Sequence, residues 1–172
     1  MPFRLGFNSG GIELALFDHR HADALFALTD RNRDQLREWL PWLDDTKSVE
    51  DSRAFIKRSL QQFAESKGFQ LGIWSEGELA GAIGYHFWDW PDQKTKIGYW
   101  LGAEFQGRGI GHALLQAALE KAQEMGVSTL MLYSNTQLQS AIHLYRRYGF
   151  KEVPLGNNGY KRSDIKMEKT LP

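Results

Sequence analysis

The stretch Ile97-Gly98-Tyr99-Trp100-Leu101-Gly102-Ala103-Glu104-Phe105-Gln106-Gly107-Arg108-Gly109-Ile110-Gly111 decides how the rest of the chain is read. Its first five residues are apolar and β-prone, the run from Gly102 to Gly111 holds four glycines, and a strongly periodic helix pattern follows from Ala113 to Met125. A strand that turns through glycines into a helix presents consecutive backbone N–H groups at the positive end of the helix dipole, which is a site for an anion. The run Gln106 to Gly111 is therefore predicted to lie against a phosphate, with Arg108 adding charge. A helix terminus contributes only about 0.3–1 kcal/mol, so several amides must converge on one pyrophosphate. No Gly-Lys-Ser/Thr ending and no GxGxxG spacing is present, which disfavours a nucleoside-triphosphate loop and a dinucleotide fingerprint. An ordinary glycine-rich connection between strand and helix is the alternative reading.

Working outward, Ala113 to Met125 turns Leu114, Leu115, Ala118, Leu119 and Ala122 inward and stops at Gly126. Val127 to Tyr133 reads as a buried strand, Gln139 to Tyr148 as a helix stopped at Gly149, and Ile165 to Leu171 as a last alternating strand. Upstream, Phe69 to Trp74, the turn Glu76-Gly77 and Leu79 to Trp88 form a hairpin, and Lys96 to Leu101 follows after the loop Asp89 to Gln93. Before these, a strand at Ile12 to Phe17 precedes helices over His21 to Leu28, Leu36 to Leu40 and Val49 to Phe63, with a break near Thr29 to Asn32. About seven strands and four to five helices are expected, an α+β (α/β mixed-sheet) fold in one domain spanning residues 1–172.

The chain has 172 residues, and its 21 Lys+Arg cancel its 21 Asp+Glu, so no global charge argues for a nucleic-acid partner or a membrane surface. Cysteine is absent, which removes a thiolate nucleophile and disulfides and fits a reducing compartment; a cytoplasmic location is expected. Met1 to Gly11 lacks an apolar signal region, and no run approaches the roughly 18 apolar residues of a membrane span. The five histidines lack HExxH spacing, so no metal is expected.

Two motifs carry a resemblance. Gln106, Gly109 and Gly111 match the Gln/Arg-x-x-Gly-x-Gly/Ala run with which enzymes of the GNAT acetyltransferase superfamily bind the pyrophosphate of coenzyme A. Ala141-Ile142-His143-Leu144-Tyr145-Arg146-Arg147-Tyr148-Gly149-Phe150 resembles the same superfamily's Ala-Ile-x-Leu-Tyr-x-x-x-Gly-Phe helix. Asp30 to Leu43 and Ile97 to Leu101 are similar to the RimL-like branch, which acetylates N-terminal amines of ribosomal proteins. From about Thr129 onward the chain looks more like small-molecule GNATs, although Leu138 stands where those usually carry Asn.

The resemblance implies a GNAT fold whose fourth and fifth strands splay apart, with acetyl-CoA as cosubstrate lying in the gap beside Tyr99, Trp100 and Leu101. An amide of one of these three is the implied oxyanion donor, and Gln106, Gly107, Arg108, Gly109, Ile110, Gly111 and His112 would hold the pyrophosphate. Asn135, Ser140 and the neighbouring Ser134 could bond the pantetheine arm, or simply cap a helix. Tyr145 is the implied general acid for the leaving thiolate, with a packed core tyrosine as the alternative. Relatives often carry Glu where Lys96 stands, so the base is sought at His86, Glu38 or Asp89, or in a water. Strand alternation lets only one of Lys96 and Ile97 face the cleft. Trp39, Trp42, Trp88 and Trp90 are expected near the acceptor mouth or in the core. The implied acceptor is a protein or peptide N-terminal amine; the alternatives are a small amine (aminoglycoside, polyamine or amino acid) or a CoA-binding regulatory module. The protein is expected to be a monomer or homodimer.

Overall fold

The computed structural model describes residues 11–156 and 162–172. The first ten residues, on which the expectation about a signal region rests, lie outside the described residues. Strands Ile12–Leu16 (β1), Phe69–Ser75 (β2), Glu78–Asp89 (β3), Lys94–Leu101 (β4), Thr129–Ser134 (β5), Lys151–Val153 (β6) and Ile165–Thr170 (β7) form one sheet in the order β1-β2-β3-β4-β5-β7-β6. Helices Ala22–Arg31 (α1), Arg33–Leu36 (α2), Val49–Ala64 (α3), Ile110–Glu124 (α4) and Gln139–Arg147 (α5) complete it. The expected mixed α+β sheet is what forms. Among the described residues no helix is long and apolar enough to cross a membrane.

Local chemistry explains the element ends. Ser48 and Asp51 form a reciprocal capping box at the start of α3, an arrangement in which the cap alone contributes about 1 kcal/mol. Gly126 and Gly149 take positive φ of 77° and 87° and close α4 and α5, so that the Val127 and Phe150 amides return to the Ala122 and Tyr145 carbonyls at 3.0 Å each. Leu114 and Leu115 of α4 are fully buried against the sheet, each stabilising the fold by roughly 1.5–3 kcal/mol.

Several boundaries differ from expectation. The first helix runs unbroken to Arg31, and the break falls at Asn32, whose buried side chain bonds the Leu28 carbonyl at 3.0 Å and the Ala103 amide at 2.8 Å. The second helix has only four residues, because Pro41 forces an extended Leu40 before a short 3₁₀ turn at Pro41–Asp45. α4 starts at Ile110, earlier than its apolar periodicity suggests, so Ile110, Gly111 and His112 form its first turn. β6, three residues long, is too short to leave a periodic signal of its own.

The two sheet faces diverge at β4. Tyr85 donates its hydroxyl to the Ala118 carbonyl of α4 at 2.5 Å and pairs with Ile97, so Ile97, Tyr99 and Leu101 share the α4 face. Lys96, Gly98 and Trp100 point the other way. On that side the His86 imidazole lies so near Gly98 that a Cβ there would come within 2.3 Å of Nε2.

Candidate active site

Strand β4 is held unequally along its two edges. Its register with β3 runs from Gly81↔Leu101 to Asp89↔Lys94, whereas β5 pairs with it only at Lys94↔Thr129, Thr95↔Leu130 and Lys96↔Met131. Beyond Lys96 the two strands part. The Gly102 amide donates to the Ala80 carbonyl at 2.9 Å, which puts Gly102, Trp100 and Gly98 in the pairs that exchange hydrogen bonds with β3. Tyr99 and Leu101 alternate with them and direct their backbone groups into the gap. The Leu101 carbonyl accepts from Gln106 Nε2 at 3.2 Å. The Tyr99 amide and carbonyl and the Leu101 amide thus point into the gap. This corrects the expectation for the Trp100 amide, which β3 claims; Trp100 contributes its side chain, 6.0 Å from the ring of Trp42.

At the open end of the gap stands the glycine loop. Gly107 and Gly109 have φ of 74° and 77°, and a Cβ at either would meet nothing within 4 Å. Backbone conformation and the approach of a ligand, rather than crowding, require glycine there. Gly109 is the N-cap of α4, which leaves the amides of Ile110, Gly111 and His112 without intrahelical partners. Arg108 lies 5.6 Å from the Phe105 ring centroid, beside the loop. Gln106 acts through its bond to Leu101 and so shapes the loop. His112 bonds the Tyr148 hydroxyl through Nδ1, linking the first turn of α4 to the end of α5.

On the α4 side of the gap, the phenols of Tyr99 and Tyr145 lie close enough to influence each other's ionisation. Tyr145 is buried on α5, its ring 6.0 Å from Phe150. Burial raises the pKa of both phenols, and Tyr145 is raised further by Tyr99. The Tyr99 hydroxyl also lies 3.3 Å from the Cβ that a side chain at Gly111 would carry. Gly111, in the first turn of α4, therefore makes room for the Tyr99 hydroxyl at the positive end of the helix. Tyr99 as the partner of Tyr145 was not foreseen; its alternation with Ile97, a core residue, is the signal that places it on this face.

The opposite side is a groove. Its floor carries His86, whose Nδ1 is 3.4 Å from Gln70 Nε2, while Gln62 of α3 bonds the His86 carbonyl at 2.9 Å. Water reaches the ring, yet dense surrounding protein, and secondarily the Lys96 charge, lowers its pKa to about 4. His86 is therefore neutral at pH 7. Lys96 shares this side, with Nζ 5.6 Å from the Tyr133 ring centroid and 5.9 Å from that of Phe87, and burial lowers its pKa. Ile97 occupies the core, so of the two alternating residues it is Lys96 that faces the groove.

Other expected residues fall elsewhere. Asp89 accepts from the Asp92 amide at 3.1 Å in the β3–β4 turn, beyond the closed end of the gap. Glu38 is exposed on the turn after α2. Asn135 bonds the Arg162 carbonyl at 3.1 Å and the Gln137 amide at 2.9 Å, which commits its side chain to loop structure. Ser134 ends β5, and Ser140 is exposed in the first turn of α5. Trp88 stacks with Trp90 at 4.6 Å, and Trp90 bonds the Ser66 carbonyl at 3.0 Å. Trp90 thus sits at the β3–β4 hairpin tip, while Trp88 also lines the groove beside His86 and Phe87; Trp42 lies over Trp100, and Trp39 is half-buried after α2.

Comparisons with known proteins agree with this geometry. The model of a family described as "Acetyltransferase (GNAT) domain" matches residues 12–151. The chain is 27% identical over 150 residues to "Putative ribosomal N-acetyltransferase YdaF" of Bacillus subtilis (strain 168), covering 86% of this chain and 82% of that protein. It is 28% identical over 118 residues to the ribosomal-protein-serine acetyltransferase of Escherichia coli (strain K12), covering 69% and 66%. Among solved structures, RimL, the ribosomal L7/L12 alpha-N-protein acetyltransferase in complex with coenzyme A, superposes with a TM-score of 0.89 at 22% identity over 98% of both chains.

Proposed function

The chain belongs to the GNAT acetyltransferase family and takes its acetyl group from acetyl-CoA, and from that premise we propose that it acetylates the N-terminal amine of a protein or peptide. The observation that carries the site assignment is the parting of β4 and β5 beyond Lys96, with unclaimed backbone groups inside the gap and a glycine-capped helix terminus at its open end. A pyrophosphate on the Gly107–His112 amides lets a pantetheine arm run down the gap as an added strand beside Tyr99 and Leu101. The protein-amine acceptor is supported by the two ribosomal-protein relatives and by a groove of roughly 460 Å³ running past Arg58, Gln62, His86 and Phe87.

Each step has a named group. The neutral amine attacks the thioester carbonyl, and the Tyr99 or Leu101 amide stabilises the oxyanion without reorganisation. As the C–S bond breaks, Tyr145 gives its proton to the sulfur. Burial raises the phenol's pKa, but the same low-polarity surroundings raise the proton affinity of the thiolate, so donor and acceptor stay matched. The Tyr99 hydroxyl stabilises the resulting Tyr145 phenolate by a hydrogen bond, keeping its own proton, until Tyr145 recovers one proton from solvent. His86, neutral at pH 7, takes the proton that the amine loses after attack, directly or through one water. Lys96 disfavours an ammonium in the groove and so lowers the pKa of the bound amine.

The test is mass spectrometry of products from acetyl-CoA and two acceptor panels, one of peptides with free N-termini and one of aminoglycosides, polyamines and amino acids. Acetylation of peptide α-amines is expected. Turnover confined to the small amines would replace the acceptor, and coenzyme A binding without thiol release in either panel would leave a binding module.

A further inference from the structure

The last residue of β4 in register with β5 is Lys96, paired with Met131. Two residues further along β5 stands Tyr133, on the same face as Met131, and its cross-strand partner on β7 is Lys166. The Lys96 and Lys166 ammonium groups lie 5.6 and 5.9 Å from the same Tyr133 ring centroid. Two cations are thus gathered around one phenol ring at the point where the strands begin to part. Glu168 lies 3.3 Å from Lys166 and offsets one of the charges. His86 adds none near pH 7, and Asp164, which neighbours Lys166 in sequence, is engaged by the Thr136 amide and hydroxyl at 2.8 and 2.7 Å. Lys96, Lys166 and Glu168 together leave one net positive charge around the Tyr133 ring, and the negative charge of Asp164 is held at Thr136.

We propose that Lys96 and Lys166 form an anion subsite beside the acceptor amine, so that the enzyme selects peptides with an Asp or Glu side chain at their first or second residue. The proposal rests on the reading of the gap as the place of acetyl transfer. A half-buried ammonium is stabilised by an anion more than by water-exposed contacts, because the surroundings screen the attraction less. A carboxylate that meets the two lysines adds a full negative charge to the contacts they already make with the Tyr133 ring and, for Lys166, with Glu168. A peptide α-ammonium alone meets repulsion there. A carboxylate one or two residues away offsets it and leaves the α-amine on the His86 side of the groove. Tyr133 holds the two stems apart and gives the peptide an apolar edge to lie against. The neutral amide of the same shape has neither charge nor compensation, so side-chain size is not what is read.

The experiment compares kcat/KM for two peptides that differ only by Asp or Asn at the second residue, with the parent enzyme, Lys96→Met and Lys166→Met, each variant first shown to keep its thermal stabilisation by coenzyme A. The parent is expected to prefer the Asp peptide by about tenfold at low salt, with the preference shrinking at high ionic strength. Lys96→Met should bring the ratio of the two peptides to within about twofold of unity, and Lys96→Glu should invert it. Equal kcat/KM for the two peptides in the parent, or a preference that survives Lys96→Met, overturns the proposal. Failure of the parent on every peptide while small amines are acetylated would overturn the peptide reading instead, and the two failures are thereby distinct.

Discussion

The two edges of β4 show what a sheet does when complete and when interrupted. Against β3 the ladder is continuous from Leu101 to Ile97 and resumes past a bulge at Thr95 and Lys94; Tyr85, pinned to the Ala118 carbonyl, ties that side to α4. Against β5 the ladder stops after three pairs. Buried backbone groups demand partners, so a finished edge stabilises the protein and an unfinished one prepares it for a ligand that completes the pattern. The continuous β3 ladder fixes the geometry of β4, and the interrupted β5 edge leaves the gap; of the β3 residues, His86 on the groove face is the one to which we assign a chemical role.

The sharpest way to break this contrast is to remove one hydroxyl on the β5 side. Tyr145→Phe keeps the ring against Phe150 and is expected to lower kcat by about 10²–10³-fold, with acetyl-CoA affinity nearly unchanged. Steady-state kinetics together with calorimetric binding separates the two quantities; a loss under about threefold would mean that the thiolate leaves without this acid.

A somewhat smaller loss is expected at the loop. Gly109→Asp places a negatively charged side chain, at a φ of 77° that Asp and Asn both adopt more readily than most residues, where the pyrophosphate approaches. It should weaken coenzyme A binding by about 10²-fold and abolish the thermal shift. Gly109→Asn tolerates the same left-handed backbone without charge and should retain part of the shift. Equal behaviour of the two would show that the bulk of a side chain, not its charge, is the cause.

On the groove side, His86→Ala should lower kcat/KM by about tenfold. Because the folded pKa of His86 is lowered to about 4, its protonation blocks proton acceptance only as pH falls toward 4. The rate should therefore show no His86 inflexion between pH 6 and 8, where the acceptor amine sets the limb. An acid limb near pH 6.5 that vanishes in His86→Ala would contradict the depressed value.

The weakest effect belongs to the closed side. Tyr85→Phe loses one buried hydrogen bond to Ala118 and should destabilise the protein by roughly 1–2 kcal/mol, read by urea denaturation, while coenzyme A affinity stays the same. A large loss of affinity would mean that the β3 side does more than set geometry.

How much of this the sequence carried depends on the range of the signal. The glycine loop and α5 were legible because their features are local: glycines at positive φ, a periodic helix behind them, a tyrosine one turn from Ala141. The face of Lys96 was reduced to two options by alternation, and choosing between them needed the packing of Ile97 into the core. Trp88 packs against the core and also lines the groove, whereas Trp90 sits at the hairpin tip on the Ser66 carbonyl, a division not legible beforehand because aromatic character announces contact without saying at which end of a strand it occurs. Asp89 was considered as a base although its carboxylate serves the hairpin turn. The Tyr99–Tyr145 pair and the Lys96–Tyr133–Lys166 cluster join residues distant in sequence, and only the strand register brings them together.

The central claim is that the gap between β4 and β5 is completed by acetyl-CoA, and amide hydrogen exchange resolved to single residues tests it most directly. Saturating coenzyme A should increase protection at Tyr99, Leu101 and the Ile110–His112 amides and leave Trp100, already bonded toward β3, unchanged. Unaltered exchange at Tyr99 and Leu101 in a protein that binds coenzyme A would place the cofactor elsewhere and contradict the account.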